Sequence, residues 1–118
     1  MKQLKIINAY KATEVLANNT SLSNDIQWSI YRLRKALTPH IEFYKEREQA
    51  IKDKYSMFID DKGYISGEEA SKFQNEIQEL NNMDKDIDFE PCEIQVPEGN
   101  GITALIMEQL EGFIQFTK

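Results

Sequence analysis

The chain reads as mainly α with a small β element (α+β), built on one long kinked helix packed with two or three shorter ones. The first observation behind this is an apolar stripe, Ile26, Ile30, Leu33, Leu37, Ile41, Tyr44, Ile51, Tyr55 and Phe58, with one double step over Glu48. Steps of three or four residues are the period of one helix face. The second is that Ala70, Phe73, Ile77 and Leu80, and then Ile102, Leu105, Ile106, Leu110, Phe113 and Ile114, repeat that period. The third is that strict alternation is confined to two short stretches, 3–7 and 86–96. At 1.5 Å per residue, the long stripe corresponds to a helix of about 34 residues, roughly 50 Å long.

The elements follow in order. Leu4 and Ile6 alternate with Gln3 and Lys5, which predicts a short strand. Asn8 suits an N-cap, and Ala9, Ala12, Val15 and Leu16 form the apolar face of a first helix ending near Asn18-Asn19. Thr20 to Asn24 is a polar linker. Ser23 or Asn24 caps the long helix, and Asp25 sits at its positive end. Pro39 falls within the stripe, where a proline costs a hydrogen bond. The apolar phase nevertheless continues from Leu37 to Ile41 and Tyr44, so a kinked continuous helix is expected over 24–58, with two helices split at Pro39 as the alternative. Asp60-Asp61-Lys62-Gly63 is a turn. Ser66 and Glu69 have capping-box spacing and open a third helix running to about Asn82. Ile87 and Phe89, then Ile94 and Val96, alternate with polar residues on either side of Pro91, which predicts an edge strand or two short strands. A loop at 97–101 leads to a closing amphipathic helix over 102–114.

A length of 118 residues suits a single domain, 1–118, with a helical arm at about 24–58 and a strand-plus-helix part at about 84–117. The 41% hydrophobic content argues against disorder of the whole chain. No run of apolar residues is long enough for a membrane span. The opening Met1 to Asn8 lacks the apolar core of a signal peptide, and the one cysteine, Cys92, has no internal partner. A reducing cytoplasm is the expected setting. The net charge of −6 divides unevenly, +4 over residues 1–58 and −10 over 59–118. Such asymmetry favours contact between the halves, within one chain or between two. The acidic balance disfavours nucleic acid, whose phosphates it repels.

Motifs that carry chemistry are weak throughout. Gly63, Ile65 and Glu69 match the second half of an EF-hand loop, but the positions that should supply its first three oxygen ligands hold Phe58, Asp60 and Lys62. A turn into a capped helix accounts for the same residues. His40 has no second ligand or orienting acid at diagnostic spacing. Cys92 lies between Glu90 and Glu93, which should raise its pKa and keep it unreactive. Asp86, Asp88 and Glu90 alternate, as expected of a solvated strand face or a charge-protected edge. No catalytic residue, cofactor site or metal site is therefore assigned, and an enzyme is not expected. Most cations of the long helix have acids one turn away; Arg32, Arg34 and Lys35 are less balanced and are candidates for an anionic or acidic partner. Trp28 and Tyr31 flank the stripe and are expected to broaden it into the core; if exposed, they would instead serve as interface anchors.

The opening Ile7-Asn8-Ala9, the long helix ending Ile41-Glu42-Phe43-Tyr44-Lys45-Glu46-Arg47, and the closing Asp86-Ile87-Asp88-Phe89-Glu90-Pro91 with Ile102-Thr103-Ala104-Leu105 and Leu110-Glu111-Gly112-Phe113-Ile114 together form a pattern. It resembles a family of small uncharacterised proteins encoded by phages and prophages of Gram-positive bacteria. The resemblance implies a phage-derived cytoplasmic protein and carries no catalytic residue. The expected function is that of a non-enzymatic interaction, assembly or accessory protein, a homo-oligomer with a protein partner. Its expected contacts are Tyr44, Ile51, Tyr55 and Phe58 on the outer half of the stripe, with Arg32, Arg34 and Lys35. The alternative is an acidic inhibitor that presents residues 84–98 to a basic host site in place of nucleic acid.

Overall fold

The computed structural model describes residues 1–96 and 102–117. Their elements are α1 (Gln3–Ala17), α2 (Asn24–Lys54), a single 3-10 turn (Ser56–Phe58), α3 (Glu68–Asn81), β1 (Cys92–Gln95), α4 (Ala104–Gln109) and β2 (Ile114–Thr117). The fold is mainly α with a small β element, as the periodicity predicted, although its two strands are not the two stretches predicted. The 31 residues of α2 correspond to about 46 Å, and the molecule measures 51 Å along its longest axis.

The stripe places α2. Ile30, Leu33, Leu37 and Ile41 are buried against Ile6, Ala9, Ala12 and Leu16 of α1. Ser23 caps the helix, its Oγ accepting from the Ile26 N–H at 3.4 Å. The helix passes through Pro39 without a break into two. Proline there removes the N–H that would bond the Lys35 carbonyl, but burial of Leu37 on one side and Ile41 on the other holds the helical phase. The Thr38 hydroxyl donates to the Arg34 carbonyl at 2.7 Å. Gln3, fully buried, donates from Nε2 to the His40 carbonyl at 3.1 Å and ties α1 to α2 beside the proline.

The predicted strand at 3–7 is instead the opening of α1, about a turn and a half. Gln3 and Ile6 extend the buried series of Ala9, Thr13 and Leu16 at helical spacing. That long period outweighs a two-residue alternation. Asn8 is consequently interior to the helix, not its cap. The Gln3 N–H donates to the Met83 carbonyl at 2.8 Å and the Lys85 N–H to the Met1 carbonyl at 2.7 Å, so the segment after α3 closes the helix start. The α1–α2 pair is pinned further along by Arg34, which donates to the Thr13 Oγ1 at 3.3 Å and the Tyr10 hydroxyl at 3.2 Å while lying 4.5 Å over the Tyr10 ring.

The helix α3 folds back on the outer half of α2, forming a second apolar cluster of Ile51, Tyr55 and Leu80 with Phe43, Tyr44, Ile65, Phe73 and Ile77 around it. Tyr55 and Phe73 meet edge-on at 5.7 Å, and Lys54 pairs with Glu76 at 2.8 Å. The expected capping box does not form. Gly67 occupies the cap position at φ +71°, a conformation that disfavours other residues, and the helix begins after it. No side chain caps the first turn, and Glu69 pairs with Lys72 at 3.4 Å.

The C-terminal part departs most from expectation. Residues 86–91 form no ladder, although Ile87 and Phe89 still pack on the core while Asp86, Asp88 and Glu90 face water. Only Cys92–Gln95 is strand, pairing in parallel with Ile114–Thr117 (Cys92 opposite Ile114, Gln95 opposite Thr117). Parallel strands need a crossover, and α4 provides it. The predicted helix over 102–114 therefore stops at Gln109. Gly112 takes φ +93°, and the N–H groups of Phe113 and Ile114 both bond the Leu110 carbonyl at 3.0 Å. This glycine turn, two residues past the Leu110 cap, redirects the chain and sends Ile114 into β2. The predicted loop at 97–101 lies outside the described residues.

Candidate interaction surface

The predicted contact residues separate into buried and exposed groups. Ile51 and Tyr55, 7% and 5% exposed, are covered by α3 and belong to the internal packing, which corrects their assignment as a partner surface. Tyr44 is half-buried and lines a groove of about 430 Å³ between α1 and α2 with Leu4, Ile7 and Tyr10. Burial and a hydrogen bond with Glu48 raise its pKa. Phe58 remains exposed, together with Met57, Ile59 and Tyr64, at the far tip of the α2–α3 hairpin. The last three were missed in the sequence because a turn has no period to reveal them. Their loop is closed by the Asp60 carboxylate, whose Oδ1 accepts from the Lys62 and Tyr64 N–H groups at 2.9 Å each. Asp60 is thus engaged as a turn-former. Among the described residues no group of three or more His, Cys, Asp and Glu is placed to hold a metal ion.

The basic triplet also divides. Arg34 is internal, held by Tyr10 and Thr13. Arg32 and Lys35 are exposed and border a cleft of about 430 Å³ whose opposite wall carries Asp88, Phe89 and Glu90. The positive first half and negative second half of the chain therefore face each other here. Cys92 sits near this wall. Its pKa is raised by burial, against the opposing effect of Arg32, rather than by the neighbouring acids expected to raise it. The pKa of His40 is lowered by burial and by Lys85, which favours the neutral ring.

Trp28 and Tyr31, expected to broaden the stripe into the core, are instead left outside it, because they lie on the side of α2 away from α1. They stack on each other with ring centroids 5.4 Å apart and planes 23° from parallel. Trp28 is 60% and Tyr31 52% exposed. They lie one turn apart on the side of α2 opposite Ile30, Leu33 and Leu37, with Arg32 and Lys35 immediately beyond. Large exposed aromatic rings beside cations are a composition that protein interfaces favour. Among the described residues no helix is long and apolar enough to cross a membrane. Comparison of the chain with family models, with curated proteins and with solved structures finds no significant match.

Proposed function

We propose that the protein is a non-enzymatic interaction module that works as a homo-oligomer in a bacterial cytoplasm. The observation that carries this is the exposed Trp28–Tyr31 stack on the solvent side of α2. Two aromatic rings left in water forgo the burial that would stabilise them, and association supplies it. The apolar tip at Met57, Phe58 and Tyr64 is a second exposed patch, about 40 Å from the first by the rise of the helix. Sequence resemblance is what suggests a phage or prophage setting, with an assembly or accessory role and a protein partner beyond the second copy.

The acidic-mimic reading has less support. It requires the acids of 84–98 to form an unopposed surface, yet Asp88 and Glu90 share their cleft with Arg32 and Lys35. Trp28 is the chain's one tryptophan, so its emission tests the favoured reading directly. The expected result is a shift to shorter wavelength as protein concentration rises and the rings become covered. An emission maximum that stays at the fully hydrated position at all concentrations, on a folded chain, overturns it.

A further inference from the structure

We propose that the occupant of the solvent face of α2 is the same face of a second copy, laid antiparallel about a two-fold axis passing between Thr38 and Pro39. This inference rests on the homo-oligomeric reading above and names its geometry. At 3.6 residues per turn, Trp28, Tyr31, Lys35, Glu42, Glu46 and Gln49 fall within one sector of about 60°. All six are exposed, and the sector lies opposite Leu33 and Leu37. Neither α1, which meets α2 through Arg34 and Gln27, nor α3, which meets it through Ile51 and Tyr55, covers this side, and the 86–91 segment borders it at Lys35 alone, across the cleft that carries Asp88 and Glu90.

The spacing along the strip is 3, 4, 7, 4 and 3 residues, which reads the same in both directions. An antiparallel pair centred between residues 38 and 39 therefore sets Trp28 against the partner's Gln49, Tyr31 against the partner's Glu46 and Lys35 against the partner's Glu42. Two-fold symmetry makes each pairing twice, as an isologous contact does. Steps averaging 3.5 residues are those of helices that pack side by side at a shallow angle. The charges select the direction. Cations occupy the first half of the strip (Lys35, with Arg32 on its border) and acids the second (Glu42, Glu46). Antiparallel packing places unlike charges opposite; parallel packing would set Lys35 on its own copy and the glutamates on theirs. None of Lys35, Glu42 and Glu46 takes part in an ion pair among the described residues. Where the helices cross, Pro39 brings a compact ring, and the neighbouring Thr38 hydroxyl is already bonded to the Arg34 carbonyl.

Charge exchange tests the geometry. In Lys35→Glu, each two-fold contact sets two glutamates together; in Glu42→Lys, two lysines. Each variant alone is expected to self-associate about tenfold or more weakly than the parent chain, since two exposed contacts turn from attractive to repulsive. The mixture of the two variants restores every unlike pairing, and light scattering of that mixture should recover the parent mass. Both positions are exposed, and a helical circular dichroism spectrum unchanged from the parent confirms that each variant is folded. If the parent oligomerises but the single variants associate as well as it does, or their mixture no better than either alone, this geometry is overturned while the homo-oligomeric reading stands. A parent chain that remains monomeric overturns both.

Discussion

Replacing Gly112 with alanine separates the observed C-terminal fold from the one its periodicity suggests, because the two call for opposite signs. At φ +93° a residue with a Cβ is strained by about 1–2 kcal/mol. The nearest heavy atom to a Cβ built there is the Met1 Cε at 3.7 Å, an ordinary van der Waals contact, so crowding adds nothing. Alanine also stiffens the unfolded chain, which offsets about 0.4–1 kcal/mol of the loss. The net expectation is a destabilisation of about 1 kcal/mol. Were residues 102–114 one helix, the same change would remove a helix-interior glycine and stabilise by about 0.5–1 kcal/mol. Urea unfolding followed by circular dichroism resolves the two. With a slope of about 1.5 kcal/mol per M, the midpoint should fall by about 0.7 M. A midpoint that rises refutes the left-handed turn and the strand that follows it.

Other expectations follow from the same packing. Leu37→Ala empties a fully buried position between α1 and α2 and should cost about 2–5 kcal/mol in the same urea experiment; a loss under 1 kcal/mol would mean that the α1–α2 interface is loose. Ser66→Ala should change stability by less than about 0.5 kcal/mol, since its hydroxyl caps nothing, whereas a loss of about 1 kcal/mol would reinstate the capping box. Glu76 is held below its ordinary pKa of 4.5 first by its hydrogen bond from Lys54 and then by that from Tyr55. A carboxylate so lowered stabilises the fold above pH 4.5 and loses that contribution as pH falls through its folded value. Glu76→Gln should therefore be less stable at neutral pH and lose less on acidification, and thermal melts showing parallel pH profiles for the two chains would count against the Lys54–Glu76–Tyr55 link.

Much of this fold was legible in side-chain period. The stripe from Ile26 to Phe58 located α2 through its proline, although the helix expected over 24–58 ends at Lys54 and Phe58 falls in the 3-10 turn beyond it, and Phe73, Ile77 and Leu80 located α3. Chain direction was decided by smaller features. Gly67 and Gly112 each adopt positive φ; the first takes the cap position that the Ser66–Glu69 spacing assigned to Ser66, and the second turns the chain where the apolar pattern continued a helix. Leu4 and Ile6 looked like strand because they alternate with Gln3 and Lys5, but that alternation weighs little against the buried helical series that Gln3, bonded to the His40 carbonyl, opens. Ile87 and Phe89 point inward as a strand's would, but Pro91 and the lack of a pairing partner among the described residues leave them outside the ladder. For the surface, periodicity shows that a stripe is covered without showing by what. Ile51 and Tyr55 were read as awaiting a partner, and α3 of the same chain covers them. Exposure of Trp28 and Tyr31 became visible only once α1 and the 86–96 segment had taken the other sides of α2.

Sedimentation equilibrium of the parent chain beside Trp28→Ala/Tyr31→Ala tests the central claim, that the aromatic face of α2 mediates self-association. The account predicts a parent mass that rises with concentration toward twice the 13.8 kDa of the single chain, and a double variant that stays near one. Equal masses for the two at every concentration would contradict it.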